Sequence, residues 1–541
     1  MPHKSLQDAL NTLSSVENAD AVDQSTSAYA SQRPSSSVSH APTKVTYRVE
    51  SPLSTESQDD PEPLNPEDFE FDESAEYGDT IDGMGFLTVD PYKSGYTGPQ
   101  SGIAAVNVLR SLPTAYALDS GHGGRLASAH SLTSFEDLAS AETLINEYFQ
   151  IFHPAYPLLH EGTFRARASG ALAKPKDGSW PLLYNMVLAI GAFSRDQEGS
   201  DYDLTYFRTA REGLSLSVIE KGSLAYVQGL TLMANYLQKR NKPNASFALI
   251  GIAWSMGMSI GLHREFSISG TTPFAMELRR RTWWCLFLFV SGAQLTLGRP
   301  PASLIGINLR LPANVNDSGL IVDMESLPPS QEGPTVTSCI LAQIPLAKIA
   351  NEVQSELLTS HVPAIDVADR LDSRIQAWEG SLPYYLQPNN EMERTLELPK
   401  RALLWRSYHL RIVLNRPFLF QTISQKLDIS ADDTRVQRCI SAADLCVDAV
   451  HRSVLSSPSL QRGHAWYATY WLISASFVHA ICIAYAPNGD SSSSWVLRIR
   501  RAVEALERMG FAHNMANRAQ RILQNIYGEC RSPLAYFIHV Y

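Results

Sequence analysis

The sequence predicts an all-α, multi-helix protein with a disordered acidic N-terminal segment, and three observations carry that prediction. Apolar residues recur with the 3.6-residue period of a helix in one segment after another from about Ser134 to Tyr541. Proline and glycine stops separate those segments. No stretch shows the two-residue alternation of a half-buried strand. Three regions follow: 1–80, a disordered linker with an acidic, aromatic stretch; 81–133, ordered lead-in loops; and 134–541, the α-helical domain.

Leu6, Leu10, Leu13 and Val16 make a short amphipathic repeat, and residues 17–44 carry almost no large apolar side chain. Between Val49 and Tyr92 there are fourteen Asp or Glu and no Lys or Arg. These account for the net charge of −10, because the rest of the chain holds 45 basic against 41 acidic residues. Such a balance gives no footprint for wrapping nucleic acid. Phe69, Phe71, Tyr77 and Phe86 are interleaved with the acids, which suits either an activation segment or a leader that packs its aromatics on the domain. GYTGPQSG (95–102) reads as an ordered turn.

Ser134 is a plausible helix start, and Leu144, Tyr148, Phe149 and Phe152 lie at helical spacing before stops at Pro154 and Pro157. Helices are expected over 180–193, 207–219 and 224–237, with Lys239, Arg240 and Lys242 as a solvated basic loop after them. Further helices are expected over 337–360, 364–382, 401–420, 442–455, 466–485 and 496–509. Residues 465–486 carry no charge and are long enough to span a bilayer, but their Tyr, Thr, Ser and His residues favour a buried bundle helix.

Residues 246–301 are the centre of the sequence. From Phe247 to Leu262 apolar residues fall on nearly every face, so that helix is expected to be enclosed by protein, with Gly257 and Gly261 admitting a neighbouring backbone. Thr272 and Pro273 start a second helix as cap and first-turn residue, and Gly298 and Pro300 stop it.

Enzyme chemistry finds little footing. There is no phosphate loop, no nucleophile elbow and no metal-spaced His/Cys/Asp set, and the GHGG of 121–124 has no serine motif to serve. His160 and Glu161 do not form a metalloprotease pair because Phe164 stands where the second histidine must be, so His160 is expected in the core or as a helix cap. The six cysteines are too scattered for a binuclear zinc cluster, and free buried thiols in a reducing compartment are expected. No cofactor is expected in this chain.

GLHRE (261–265), RRRTWW (279–284) and LGRPP (297–301), in this order and spacing, resemble the signature of the middle homology region of fungal zinc-cluster transcription factors. LMANYLQKRNKPN (232–244) is similar to the subset that includes galactose and xylanolytic regulators. The resemblance implies a nuclear, non-enzymatic transcription regulator whose zinc cluster is absent here, so that DNA contact comes from a missing N-terminal exon or a partner. It implies protein partners in the transcription machinery or a related regulator, with room for a dimer and for a small-molecule inducer bound between the two central helices. Trp254, His263, Arg280, Trp283, Trp284 and Arg299 are expected at the packed regulatory centre. The chain departs from the family pattern at Ser255, where an arginine is usual, and at Val290, where an aspartate is usual, which suggests coupled loss of a charge pair. The competing reading is an all-α small-molecule-binding protein or an enzyme without a recognisable motif.

Overall fold

Side chains cap the helices where the sequence offers cap residues. In the computed structural model the Thr272 hydroxyl accepts from the Ala275 amide at 3.1 Å, and Gly298 ends the same helix at φ +64°. Ser140 and Ser223 cap two more helices from their hydroxyls, and His160 caps another, its Nδ1 accepting from Thr163 at 3.2 Å.

The structure describes residues 71–74, 95–98, 100–112, 140–195, 201–266, 271–388, 390, 394–429, 433–457, 460–510 and 514–530. All belong to the unit Asp60–Tyr541. Among them the regular elements are fifteen α-helices with short 3₁₀ and π turns. They are α1 (Ile103–Ser111), α2 (Ala141–Glu147, continued by a π turn, Tyr148–Phe152), α3 (Glu161–Ala168), α4 (Trp180–Arg195) and α5 (Tyr202–Glu212). Next come α6 (Leu224–Lys239), α7 (Pro243–Ser259), α8 (Pro273–Leu297), α9 (Ser338–Thr359) and α10 (Ile365–Gly380). The last are α11 (Arg394–Ser424), α12 (Thr434–Ser456), α13 (Arg462–Tyr485), α14 (Ser492–Met509) and α15 (Asn514–Cys530).

Among the described residues two large hydrophobic cores result, beside a small cluster of Phe274, Val315 and Leu320. The first gathers α2, α4, α6 and the Trp283–Val290 part of α8; the second gathers α11 to α14 with α1 and α10. α9 serves both, because Ile340, Ile344 and Ala347 lie on the stripe facing the first core while Leu346, Ala350, Val353 and Leu357 face the second. α13 is long and apolar enough to cross a membrane by composition, yet 89% of its most apolar window is buried within the second core. Two of its polar side chains find partners there: Ser476 donates to Leu472 O at 2.6 Å, and His479 Nε2 lies 3.0 Å from Asp444.

Several expectations change. The helix expected over 207–219 is α5, which ends at Glu212 before Gly213 and is followed by a 3₁₀ turn, Leu216–Val218. α7 is not enclosed: Ala248, Gly251, Ile252, Ser255 and Met258 form one exposed stripe, because their faces turn away from α6 and α8. Ser255 is therefore exposed while Val290 is buried in the first core, and a buried charge pair between them finds no support. The acidic leader lies mostly outside the described residues, but Glu73 is docked: its carboxylate accepts from the backbone amides of Asn244 (3.0 Å) and Ala245 (2.8 Å) at the start of α7. The Ser134 start also falls outside the described residues, which resume at Ser140.

Candidate regulatory core

α7 crosses α8 at Gly257, where an added Cβ would meet Leu286 at 3.3 Å. That close approach stacks Trp254 of α7 on Trp283 of α8 with ring centroids 4.5 Å apart, and His263 sits 5.8 Å from the same indole. Gly261, at φ +69°, makes the turn that brings His263 there. Trp283 is fully buried; Trp254 and His263 are half-buried at its edge. Trp284 faces the other way, donating from Nε1 to Arg310 O at 2.9 Å beneath the Lys348 ammonium, which stands 4.8 Å from its ring.

One turn earlier, α8 carries a network of three carboxylates and three guanidinium groups. Arg280, 4% exposed, donates from Nε to Glu265 at 3.1 Å and from Nη1 to Glu277 at 3.3 Å. Arg281, fully buried, donates to Glu277 at 3.2 Å, to Val315 O at 3.2 Å and to Asp317. Arg310 closes on Glu265 at 2.7 Å from the exposed side. Formal charges cancel, which is what lets ions persist at such depth. Burial pushes Glu265 up, but hydrogen bonds from Arg280 and Arg310 outweigh it and hold the carboxyl at about 2. Burial likewise opposes ionisation of Asp317, and there the His153 and Arg281 charges and the Glu161 amide win, holding it far below the usual range. For Glu277 burial prevails and its pKa rises despite Arg281 and Arg280. The three arginines thus have acids without any at position 290.

Arg299 belongs to a separate hub. Its guanidinium donates to Tyr96 O at 2.9 Å and to the Asn244 side chain, and lies 4.2 Å from the Phe247 ring. Asn244 in turn donates to Glu73 at 2.9 Å. Beside it Gly98 N–H donates to Leu297 O at 2.8 Å, and a Cβ on Gly98 would fall 1.9 Å from Gly298 O. The GYTGPQSG, NKPN and LGRPP segments, distant in sequence, converge here because two glycine backbones can touch.

Of the six residues singled out from sequence, Arg280, Trp283 and Trp284 are in the packed centre, Trp254 and His263 rim it, and Arg299 stands apart. Sequence reasoning missed Asp317, the half-buried acid at the loop end of the network. It also misplaced Lys239, which is 4% exposed among aromatic rings rather than solvated, and Arg240, which is ion-paired with Asp203. The space between α7 and α8 is filled by the stacked indoles; the interior cavity lies elsewhere and draws no residue from α7.

Residues 145–378 match the family profile described as the fungal specific transcription factor domain. Over 359 residues, 63% of the chain, the sequence is 29% identical to the lactose regulatory protein LAC9 of Kluyveromyces lactis, of which that stretch covers 38%. It is 27% identical to an ABC-transporter-regulating transcription factor of Aspergillus oryzae over 282 residues, 47% of this chain and 29% of that protein. Activator of stress genes 1 of Saccharomyces cerevisiae is 26% identical over 339 residues, 58% of this chain and 34% of that protein. The chain thus matches well under half the length of each of these relatives. The matched segment runs from the first core into the second and contains all six candidate residues, so the candidate core lies inside the stretch that is similar to the fungal specific transcription factor domain.

Proposed function

We propose that the chain is a nuclear transcriptional regulator of the fungal zinc-cluster type, acting through its helical domain, with DNA contact supplied by a zinc cluster outside this chain or by a partner protein. The observation that carries this reading is the domain match across both cores, and the relatives are regulators by name rather than enzymes. The fate of the basic runs supports delegated DNA contact. Lys239 is buried and Arg240 is held by Asp203; Arg279 donates to Ile260 O at 2.9 Å, and Arg280 and Arg281 are in the buried network. Arg498 and Arg501 are held by Asp444 and Asp448 at 3.0 and 2.6 Å. Phosphate binding needs exposed, uncommitted cations; Lys239 is buried, and the arginines named here are bonded within the fold. The partners on this reading are the transcription machinery or a related regulator, and galactose-type regulators are the subset the sequence resembles.

A reporter experiment tests the reading. The full chain, fused to a heterologous DNA-binding domain in a fungal reporter strain, is expected to raise or lower output several-fold. Output equal to that of the DNA-binding domain alone, with the fusion in the nucleus at normal abundance, contradicts it.

A further inference from the structure

At the seam between the two cores lies a cavity of about 110 Å³, walled by the π turn after α2 and by α6, α8, α11 and α13. Two cations line it and no Asp or Glu does. Lys239, the last residue of α6, holds its ammonium 4.9 Å from the Phe152 ring centroid and 5.0 Å from that of Tyr467. Arg406, midway along α11, places a terminal nitrogen 3.8 Å from where a Cβ on Gly292 of α8 would be. Among the described residues neither cation makes a hydrogen bond or ion pair. Arg406 is half-buried, and two buried arginines are placed differently: Arg281 has two carboxylates, and Arg416 donates to the carbonyls of Gln100 (2.8 Å) and Ser101 (3.1 Å).

Interiors do not hold unpaired charges without compensation. The aromatic faces offset part of the cost for Lys239, as does the carbonyl end of α6. For Arg406 the neighbours are the Tyr156, Tyr467 and Tyr470 side chains, and burial raises the pKa of the Tyr156 and Tyr467 phenols, which keeps them neutral. Burial accordingly lowers both pKa values, that of Lys239 to about 7. The remaining titratable group on the wall, His409, is neutral: burial and then Arg416 and Arg406 push it to about 3, while Ser474 (3.0 Å) and Tyr470 (3.2 Å) occupy its ring nitrogens. Nothing within the described wall supplies the missing negative charge.

We infer that this cavity binds a small organic carboxylate with a flat apolar body, its carboxylate shared by Lys239 and Arg406 and its body against Tyr156, Phe289 and Trp471. An apolar cavity on the order of 150 Å³ accepts benzene, so one of about 110 Å³ limits the body to no more than a single flat ring. A guanidinium fork meets a carboxylate in two parallel hydrogen bonds, and the aromatic wall excludes the water that would weaken them. Because the walls come from both cores, occupancy joins α6 and α8 to α11 and α13. The regulatory consequence of that joining rests on the function proposed above; the binding does not.

The test uses the full 541-residue chain at fixed chloride and ionic strength, titrated with sodium benzoate, benzamide or benzylamine, followed by thermal unfolding and tryptophan fluorescence. Benzoate is expected to raise Tm by about 2 °C or more at saturation while benzamide and benzylamine leave it unchanged. K239M and R406M are each expected to melt no lower than the unaltered protein without ligand, since each removes an unpaired charge from the cavity wall, and to abolish the benzoate shift. Benzoate and benzamide acting alike, or neither acting, overturns the inference, as does a K239M protein that keeps the full benzoate shift. Should either variant fail to fold, the comparison of benzoate with benzamide on the unaltered protein decides alone. A negative result leaves the reporter prediction untouched, so the two readings fail separately.

Discussion

Replacing Arg281 by methionine is expected to destabilise the domain by about 3–5 kcal/mol, the range found when one partner of a buried ion pair is removed. Arg281 is fully buried and joins Glu277 of its own helix to Asp317 and Val315 O in the loop beyond α8. Without it the buried Glu277 and the half-buried Asp317 share one guanidinium fewer, and Glu277, whose pKa burial already raises, loses the larger of the two arginine charges that oppose that rise. Methionine keeps most of the volume, so the loss reports charge rather than a cavity. Thermal unfolding followed by far-ultraviolet circular dichroism measures it. The double variant E277Q/R281M is expected to recover a good part of the loss, because it removes the stranded acid as well. Equal melting of R281M and the unaltered protein, or no recovery in the double variant, contradicts this account of the network.

Trp283→Ala is the second large effect, with an expected cost of about 3–5 kcal/mol. The indole is fully buried, stacked on Trp254 at 4.5 Å and flanked by His263 at 5.8 Å, so truncation opens a void where α7 crosses α8. Its Nε1 makes no hydrogen bond, so Trp283→Phe restores much of the loss by filling space without sacrificing a polar contact. Melting temperatures of the three proteins, with reporter output measured beside them, separate stability from signalling. A W283A protein with unchanged melting and no regulatory response would instead make this crossing a ligand-sensing site.

The elements of this fold were legible because their signals are local. Thr272 with Pro273, Gly298, and the capping role open to His160 are set within one turn of chain, and each acts in the structure as its chemistry requires. α13 was legible as a buried helix because its polar residues need partners that lipid does not offer. What the sequence hides is which side of a helix meets a neighbour. α7 has apolar residues on nearly every face and still leaves one stripe exposed, where Ala248, Gly251 and Ser255 face water at little cost and Ile252 and Met258 lie beside them. Lys239 reads as one of three basic loop residues until Phe152 and Tyr467, from segments far away in sequence, close around it. Arg406 lies in an ordinary amphipathic stretch, and only the fold sets it opposite Gly292. Such sites arise from tertiary placement, and no periodicity reports them.

The central claim is that this chain is a regulatory helical domain that does not itself read DNA. Cys285, Cys339, Cys439, Cys446 and Cys482 are buried and unpaired in the two cores, and the basic runs are buried or paired within the fold. A mobility-shift titration of the purified 541-residue chain at about 150 mM salt, with metal analysis on the same sample, tests the claim most directly. The account predicts no stoichiometric zinc and no saturable complex; a sequence-specific complex that survives nonspecific competitor contradicts it.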